Sequence, residues 1–119
     1  NAYHTVESIR FILPDGTVWD TALEHEADRF EKEQQKIANE LQSLRQAVLN
    51  NAPLRDKIRR KYQQKNTVGY SLNALLDYER PLDILAHLLI GGEGTLAFIS
   101  EAVLRTLPDH PEKATSLAF

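Results

Sequence analysis

VESIRFILPDGTVWDT, residues Val6 to Thr21, is the stretch that decides the fold class. Ile9, Phe11 and Leu13 point one way while Ser8, Arg10 and Ile12 point the other, the period of two expected of a strand with one buried face. Pro14-Asp15-Gly16 then supplies turn chemistry, since Pro fixes φ at the second turn position and Gly tolerates the positive φ that follows. Val18-Trp19-Asp20 returns beside the first strand. A hairpin followed by helix-period segments points to an α+β fold, with a small, mostly antiparallel sheet and helices around it.

The chain has 119 residues, 42% hydrophobic and 26% charged, with a net charge of −3. That is enough for one soluble-type domain with a real core. The acidic balance gives no reason to expect nucleic acid or an anionic membrane. No segment approaches the ~20 apolar residues that span a bilayer. Cysteine is absent, which removes disulfides, thiolate nucleophiles and iron–sulfur ligands from this chain. Methionine is absent as well, so the chain is expected to be a piece of a larger protein, and Asn1-Ala2 stay out of the fold argument.

Beyond the hairpin, Thr21-Ala22-Leu23-Glu24 has the form of a capping box. The helix it predicts carries Leu23, Ala27, Phe30, Gln34, Ile37, Leu41, Leu44 and Val48, at spacings that alternate four and three as in a heptad seam. Twenty-eight residues from Thr21 to Val48 would make about 42 Å of helix. This segment, 22–65 with the helix that follows, reads as an insertion that projects or folds back as a helical-hairpin arm. A homodimer through the long helix is the other reading of the seam.

NNAPLRDKIRRKYQQKN restarts a helix, with Pro53 suited to its first turn. Leu54, Ile58 and Tyr62 form a narrow stripe among Arg55, Lys57, Arg59, Arg60, Lys61 and Lys65, against the single acid Asp56. This is a solvated face or an anion-facing surface for a phosphate-bearing ligand or an acidic partner. A chain of net acidic charge without interleaved aromatics is a poor nucleic-acid platform. A short helix near Ser71–Tyr78 and another from Pro81 to Ile90 come next. The second of these has apolar residues on several sides and should be buried, with Gly91-Gly92 as its C-cap. Thr95–Leu107 then reads as a central strand leaving the core, ended by Pro108 and Pro111, and ATSLAF could begin another strand.

Between the buried helix and that strand, Gly91, Gly92, Glu93 and Gly94 place three glycines in four positions. Each Gly costs about 0.5–1 kcal/mol relative to Ala in regular structure. A C-cap accounts for Gly91 and in part for Gly92, and leaves Gly94 unexplained. Main chain without Cβ atoms suits a flat or phosphorylated ligand. The spacing is not a dinucleotide fingerprint, and the helix-then-strand order is wrong for one.

GGEGTLAFISEAVLRTLP resembles the G-S-E-G-T-L-G-x-x-T-E-A-x-L segment of FAD-linked oxidases of the vanillyl-alcohol-oxidase superfamily, the group with PCMH-type FAD-binding domains. KNTVGYSLNALLD is similar to the K-N-x-x-G-Y-D-L loop that precedes that segment, and VESIRFILPDGTVWDT to a V-x-x-x-x-V-L-P-D-G hairpin. Together these cover about half the chain. With IRRKY before the loop and DHP after the strand, the pattern is most similar to large bacterial D-lactate, glycolate or D-2-hydroxyglutarate dehydrogenases with a fused iron–sulfur C-terminal half.

The resemblance implies that residues 1–119 are the second subdomain of an FAD-binding domain. Other domains of the parent chain would complete the cradle, hold the substrate and hold any iron–sulfur cluster. It also implies an enzyme oxidising a D-2-hydroxy acid to the 2-oxo acid, in the cytoplasm or peripheral to the inner membrane, with this piece silent alone. Gly92, Glu93, Gly94, Thr95 and Leu96 would lie along FAD, Ala97, Phe98 and Ile99 would continue past it, and Asn66, Gly69 and Tyr70 would lie nearby. Ala97 stands where that group has glycine, and Gly92 where it has serine.

The residues themselves supply no catalytic base and no metal site. His4, His25, His87 and His110 lack ligand spacing. His87 reads as a satisfied core histidine, Glu93 as a loop-bonding carboxylate, and Asp77, Glu79 and Asp83 as helix-end or solvated charges. The rival from another class is an interaction module, in which the helical arm dimerises or its basic helix docks an acidic partner.

Overall fold

A computed structural model describes residues 2–64, 69–90, 92, 94 and 96–105. A short helix α1 (Ala2–Thr5) runs into strand β1 (Val6–Ile12), and the hairpin returns as β2 (Val18–Asp20). Helices α2 (Glu26–Glu33), α3 (Gln35–Leu49), α4 (Ala52–Lys61), α5 (Ala74–Asp77) and α6 (Pro81–Leu89) follow, and the described residues close on β3 (Phe98–Leu104). The expected α+β class is what forms: three antiparallel strands in the order β2-β1-β3, with helices packed against them.

The hairpin is built as its residues predict. Gly16 has φ 85°, and the turn closes with Leu13 N–H donating to Thr17 O at 3.0 Å and Gly16 N–H to Leu13 O at 2.9 Å. Asp15 Oδ1 accepts from both the amide and the hydroxyl of Thr17. These bonds and one from Gln34 hold the Asp15 carboxyl below its usual range. Arg10 pairs with Asp20, Phe11 with Trp19 and Ile12 with Val18. One face buries Ile9, Phe11, Leu13 and Trp19, while the other sets Arg10 between Asp20 and Glu101 at 3.5 and 3.6 Å.

Helix α2 seals the buried face. Phe30 meets Trp19 edge-on at 5.0 Å, and the Arg29 guanidinium lies over the indole at 3.9 Å. Glu26 is buried, accepts from Asp20 N–H at 2.9 Å and from Arg29 Nε at 2.6 Å, and so ties the strand end to the helix start.

The sequence expectations need four corrections here. The capping box does not form: α2 starts at Glu26 behind His25 (φ 63°), with no side-chain cap. Thr21 instead uses its hydroxyl to accept from Ile9 N–H at 3.0 Å. The single helix over 22–50 is broken at Gln34 (φ −117°, ψ 48°). There the side-chain amide donates to Asp15 Oδ2 at 2.9 Å and Thr17 Oγ1 at 3.2 Å, so a bond to the hairpin turn accompanies the loss of helical geometry.

The seam is only partly a seam. Phe30, Leu41 and Val48 are buried, but Leu23, which precedes α2, and Leu44 are exposed. Helices α2 and α3 both lie against α6, and α3 turns into α4 at Asn50-Asn51, where the Asn51 side chain accepts from Leu54 N–H at 3.2 Å. Arg80 fastens α2 to the start of α6 through Asp28 and Glu31. Lastly, β3 is not central. β1 is the middle strand, and β3 lies at the edge with all seven residues exposed.

Candidate functional site

Two segments far apart in sequence, the hairpin turn and the start of β3, meet at one end of the sheet. Antiparallel pairing of β1 with β3 sets Ile12 opposite Phe98 and Phe11 opposite Ile99, so the start of β3 must lie beside the hairpin turn. A groove of about 270 Å³ opens there, lined by Ile12, Leu13, Pro14, Gly94, Leu96, Ala97 and Phe98. Residues opposite one another on paired strands share a face. Val18, Ile12 and Phe98 therefore form an apolar row across three strands, with Val18 47% and Phe98 66% exposed.

The glycine joint has its own geometry. Gly94 has φ 76°, a conformation that side-chain-bearing residues adopt at a cost, and nothing lies within 4 Å of where its Cβ would stand. Gly92 is a different case. It is buried, its N–H donates to Leu89 O at 3.0 Å, and a Cβ would stand 3.2 Å from that carbonyl and 3.4 Å from the Tyr70 ring. Gly92 is thus bare because its own chain presses on it, and a serine in its place would force a shift. The role of Gly91 as a C-cap lies outside the described residues; Ile90 closes α6 with extended backbone.

Tyr70 lies in a third segment. Gly69, at φ 74°, turns the chain into it, and Ser71 Oγ donates to Ile90 O at 3.3 Å. Of the predicted site residues, Gly94, Leu96, Ala97 and Phe98 come together on the groove, and Ile99 follows them opposite Phe11. Gly92 and Tyr70 meet each other and do not line the groove, and Gly69 precedes Tyr70 in the chain. Asn66, Glu93 and Thr95 lie outside the described residues. Ile12, Leu13 and Pro14 are groove residues that the sequence did not single out, although the register of a β1–β3 pair would have indicated them.

The remaining candidates are accounted for elsewhere. His87 Nδ1–H donates to Asp83 O at 2.8 Å, and its ring stacks on Tyr78 at 3.9 Å and meets Tyr3 edge-on, so it is a satisfied histidine. Asp77 is the exposed helix-end charge expected, and it also accepts from Tyr3 Oη at 2.7 Å and Asn73 Nδ2 at 3.2 Å. Burial and this bond push the Tyr3 phenol well above its ordinary range.

On α4, Lys57, Arg59, Arg60 and Lys61 are exposed, while Arg55 turns back to donate to Leu49 O at 3.2 Å; Lys65 lies outside the described residues. A second cleft, of about 310 Å³, sets Arg59 and His4 beside Asp77 and Asn73, so its charge is mixed. Among the described residues there is no metal-type cluster of His, Cys, Asp or Glu, and no helix long and apolar enough to cross a membrane.

Comparison with protein-family models, with curated proteins and with solved structures finds no match to this chain.

Proposed function

We propose that this chain forms one wall of an FAD site, as the second subdomain of the FAD-binding domain of an oxidoreductase acting on D-2-hydroxy acids. The observation that carries the reading is convergence. The hairpin and the glycine joint resemble two segments of one flavoprotein group, and in the fold residues of both line one groove at an end of the sheet, while the GYSL loop, which resembles a third, meets Gly92 and Ile90.

The residues fit part of such a cofactor. A groove of about 270 Å³ is at the small end for a ligand site, so it accepts an edge of a flat ring system rather than a whole dinucleotide. Gly94 leaves its main chain uncovered on that groove, and Ile12, Leu96 and Phe98 offer the apolar surface that a ring edge needs. The other wall, the hydroxy-acid contacts and the proton-accepting base belong to further domains of the parent.

Bound flavin would supply the hydride acceptor for oxidation of the hydroxy acid. This chain's part is to bind, orient and exclude water. Expression of the whole polypeptide carrying this sequence, followed by its visible spectrum, tests the reading. A yellow protein with flavin maxima that bleach on addition of a D-2-hydroxy acid is expected. A colourless protein that takes up no FAD would overturn it.

A further inference from the structure

The cleft of about 310 Å³ between α1, the end of α4 and α5 holds charges of opposite sign that do not neutralise one another. Arg59 is the cation. Arg10, Arg29, Arg45, Arg55, Arg80 and Arg105 each hold a carboxylate or a backbone carbonyl. The guanidinium groups of Arg59 and Arg60, both exposed on α4, hold neither among the described residues. Asp77 is the anion. Tyr3 Oη donates to it at 2.7 Å and Asn73 Nδ2 at 3.2 Å, both at Oδ2, so the carboxylate is held in place while Oδ1 keeps its capacity to accept. Arg59 and Asp77 line the same cleft without forming an ion pair, and Tyr62 and Leu76 give it a half-buried apolar wall.

We propose that this cleft binds a small zwitterion with an apolar body, an α-amino acid of the leucine type. Its carboxylate would meet Arg59, its ammonium Asp77 Oδ1, and its side chain Leu76 and Tyr62. A guanidinium matches a carboxylate in shape and charge, and an ammonium brings three donors to an acceptor-only carboxylate. An anion alone would be drawn by Arg59 and opposed by Asp77, and a cation alone would meet the reverse. The pair therefore selects a ligand that carries both charges. A volume of about 310 Å³ is at the low end for small-molecule sites, which fits an amino acid and not a dinucleotide. The proposal is independent of the flavin reading, since none of these residues lines the groove beside the hairpin turn.

The test titrates the whole polypeptide carrying this sequence with L-leucine by calorimetry. Beside it run isoamylamine, which is leucine without the carboxylate, and 4-methylpentanoate, which is leucine without the ammonium. Leucine binding is expected, with each partial ligand at least about tenfold weaker, because each lacks one charge-assisted bond. Arg59→Gln should weaken leucine binding by about the same factor. Arg60→Gln removes an equal charge from the same helix outside the cleft and should leave it unchanged. Both variants should keep the wild-type thermal midpoint, since neither guanidinium bonds the rest of the fold.

A wild-type polypeptide that binds no leucine at millimolar concentration overturns the proposal, as does a partial ligand that binds as tightly as leucine. Leucine binding untouched by Arg59→Gln, or weakened equally by Arg60→Gln, overturns it as well. The three-ligand comparison on the wild type decides the matter even where a variant does not fold. None of these outcomes bears on FAD uptake, so the flavin reading stands or falls on its own spectrum.

Discussion

Helix α6, PLDILAHLL, buries seven of its nine residues, whereas strand β3, FISEAVL, buries none. Both are apolar in sequence. The helix lies under α2, α3 and α5, which return over it from three directions. The strand has β1 on one side and, among the described residues, nothing on the other. Native sheets usually blunt such an edge with charge, proline or a bulge. Here Glu101 and the irregular register near Phe11 do part of that, while Phe98, Ile99, Val103 and Leu104 remain exposed. Hydropathy alone therefore does not tell which apolar residues the fold covers. The exposed end of β3 coincides with the groove.

The largest expected effect tests the covered half. Trp19→Ala removes the indole shared by β2, Phe30 and Arg29, and should cost about 3–5 kcal/mol in chemical unfolding. A loss under about 1 kcal/mol would mean that the helical layer does not depend on the hairpin.

Glu26 comes next, because its carboxylate joins β2 to α2 from a buried position. Glu26→Gln should cost about 2 kcal/mol, the scale of a charge-assisted bond. Its folded pKa is lowered, chiefly by the Arg29 bond and in part by the Asp20 amide, against the opposing effect of burial. A depressed carboxylate contributes stability that is complete above the ordinary glutamate range and is lost as pH falls through the folded value. Unfolding midpoints measured from neutral to acid should therefore converge for wild type and Glu26→Gln at the acid end.

Gly94→Ala sharpens the contrast within the joint. At φ 76° with open space around the missing Cβ, the cost is conformational only, about 1 kcal/mol by thermal unfolding. Gly92→Ala, with no positive φ to strain, should cost only what the Leu89 carbonyl must yield at 3.2 Å. The smallest effect is expected for Phe98→Ser. A residue 66% exposed has little to lose, so the unfolding midpoint should correspond to a change within about 0.5 kcal/mol. A loss approaching that of Trp19→Ala would erase the distinction between α6 and β3.

Much of the fold was legible in the chain because local rules sufficed. The alternation at Ile9, Phe11 and Leu13, the Pro-Asp-Gly turn and the apolar density of α6 each lead to the element observed. The misreadings share one cause. Thr21 looked like a helix cap and Gln34 like a seam position, but each bonds instead to a group distant in sequence, Ile9 N–H for one and Asp15 for the other. The same holds for the site. The glycine cluster and the GYSL loop stood out in the sequence, whereas Ile12, Leu13 and Pro14 read there as strand and turn residues, and their place on the groove comes only from what they meet.

Residue order alone determined the hairpin, the helical positions of Pro53 and Pro81, and the need for bare backbone before β3, since these follow from φ preferences and from periodicity within a few residues. Which strand became central, where the long helix broke, and the meeting of the hairpin turn with the start of β3 at one groove were decided only by the tertiary structure. Strand order, side-chain bonds across long separations and burial depend on which surfaces meet, and local propensity carries no information about that.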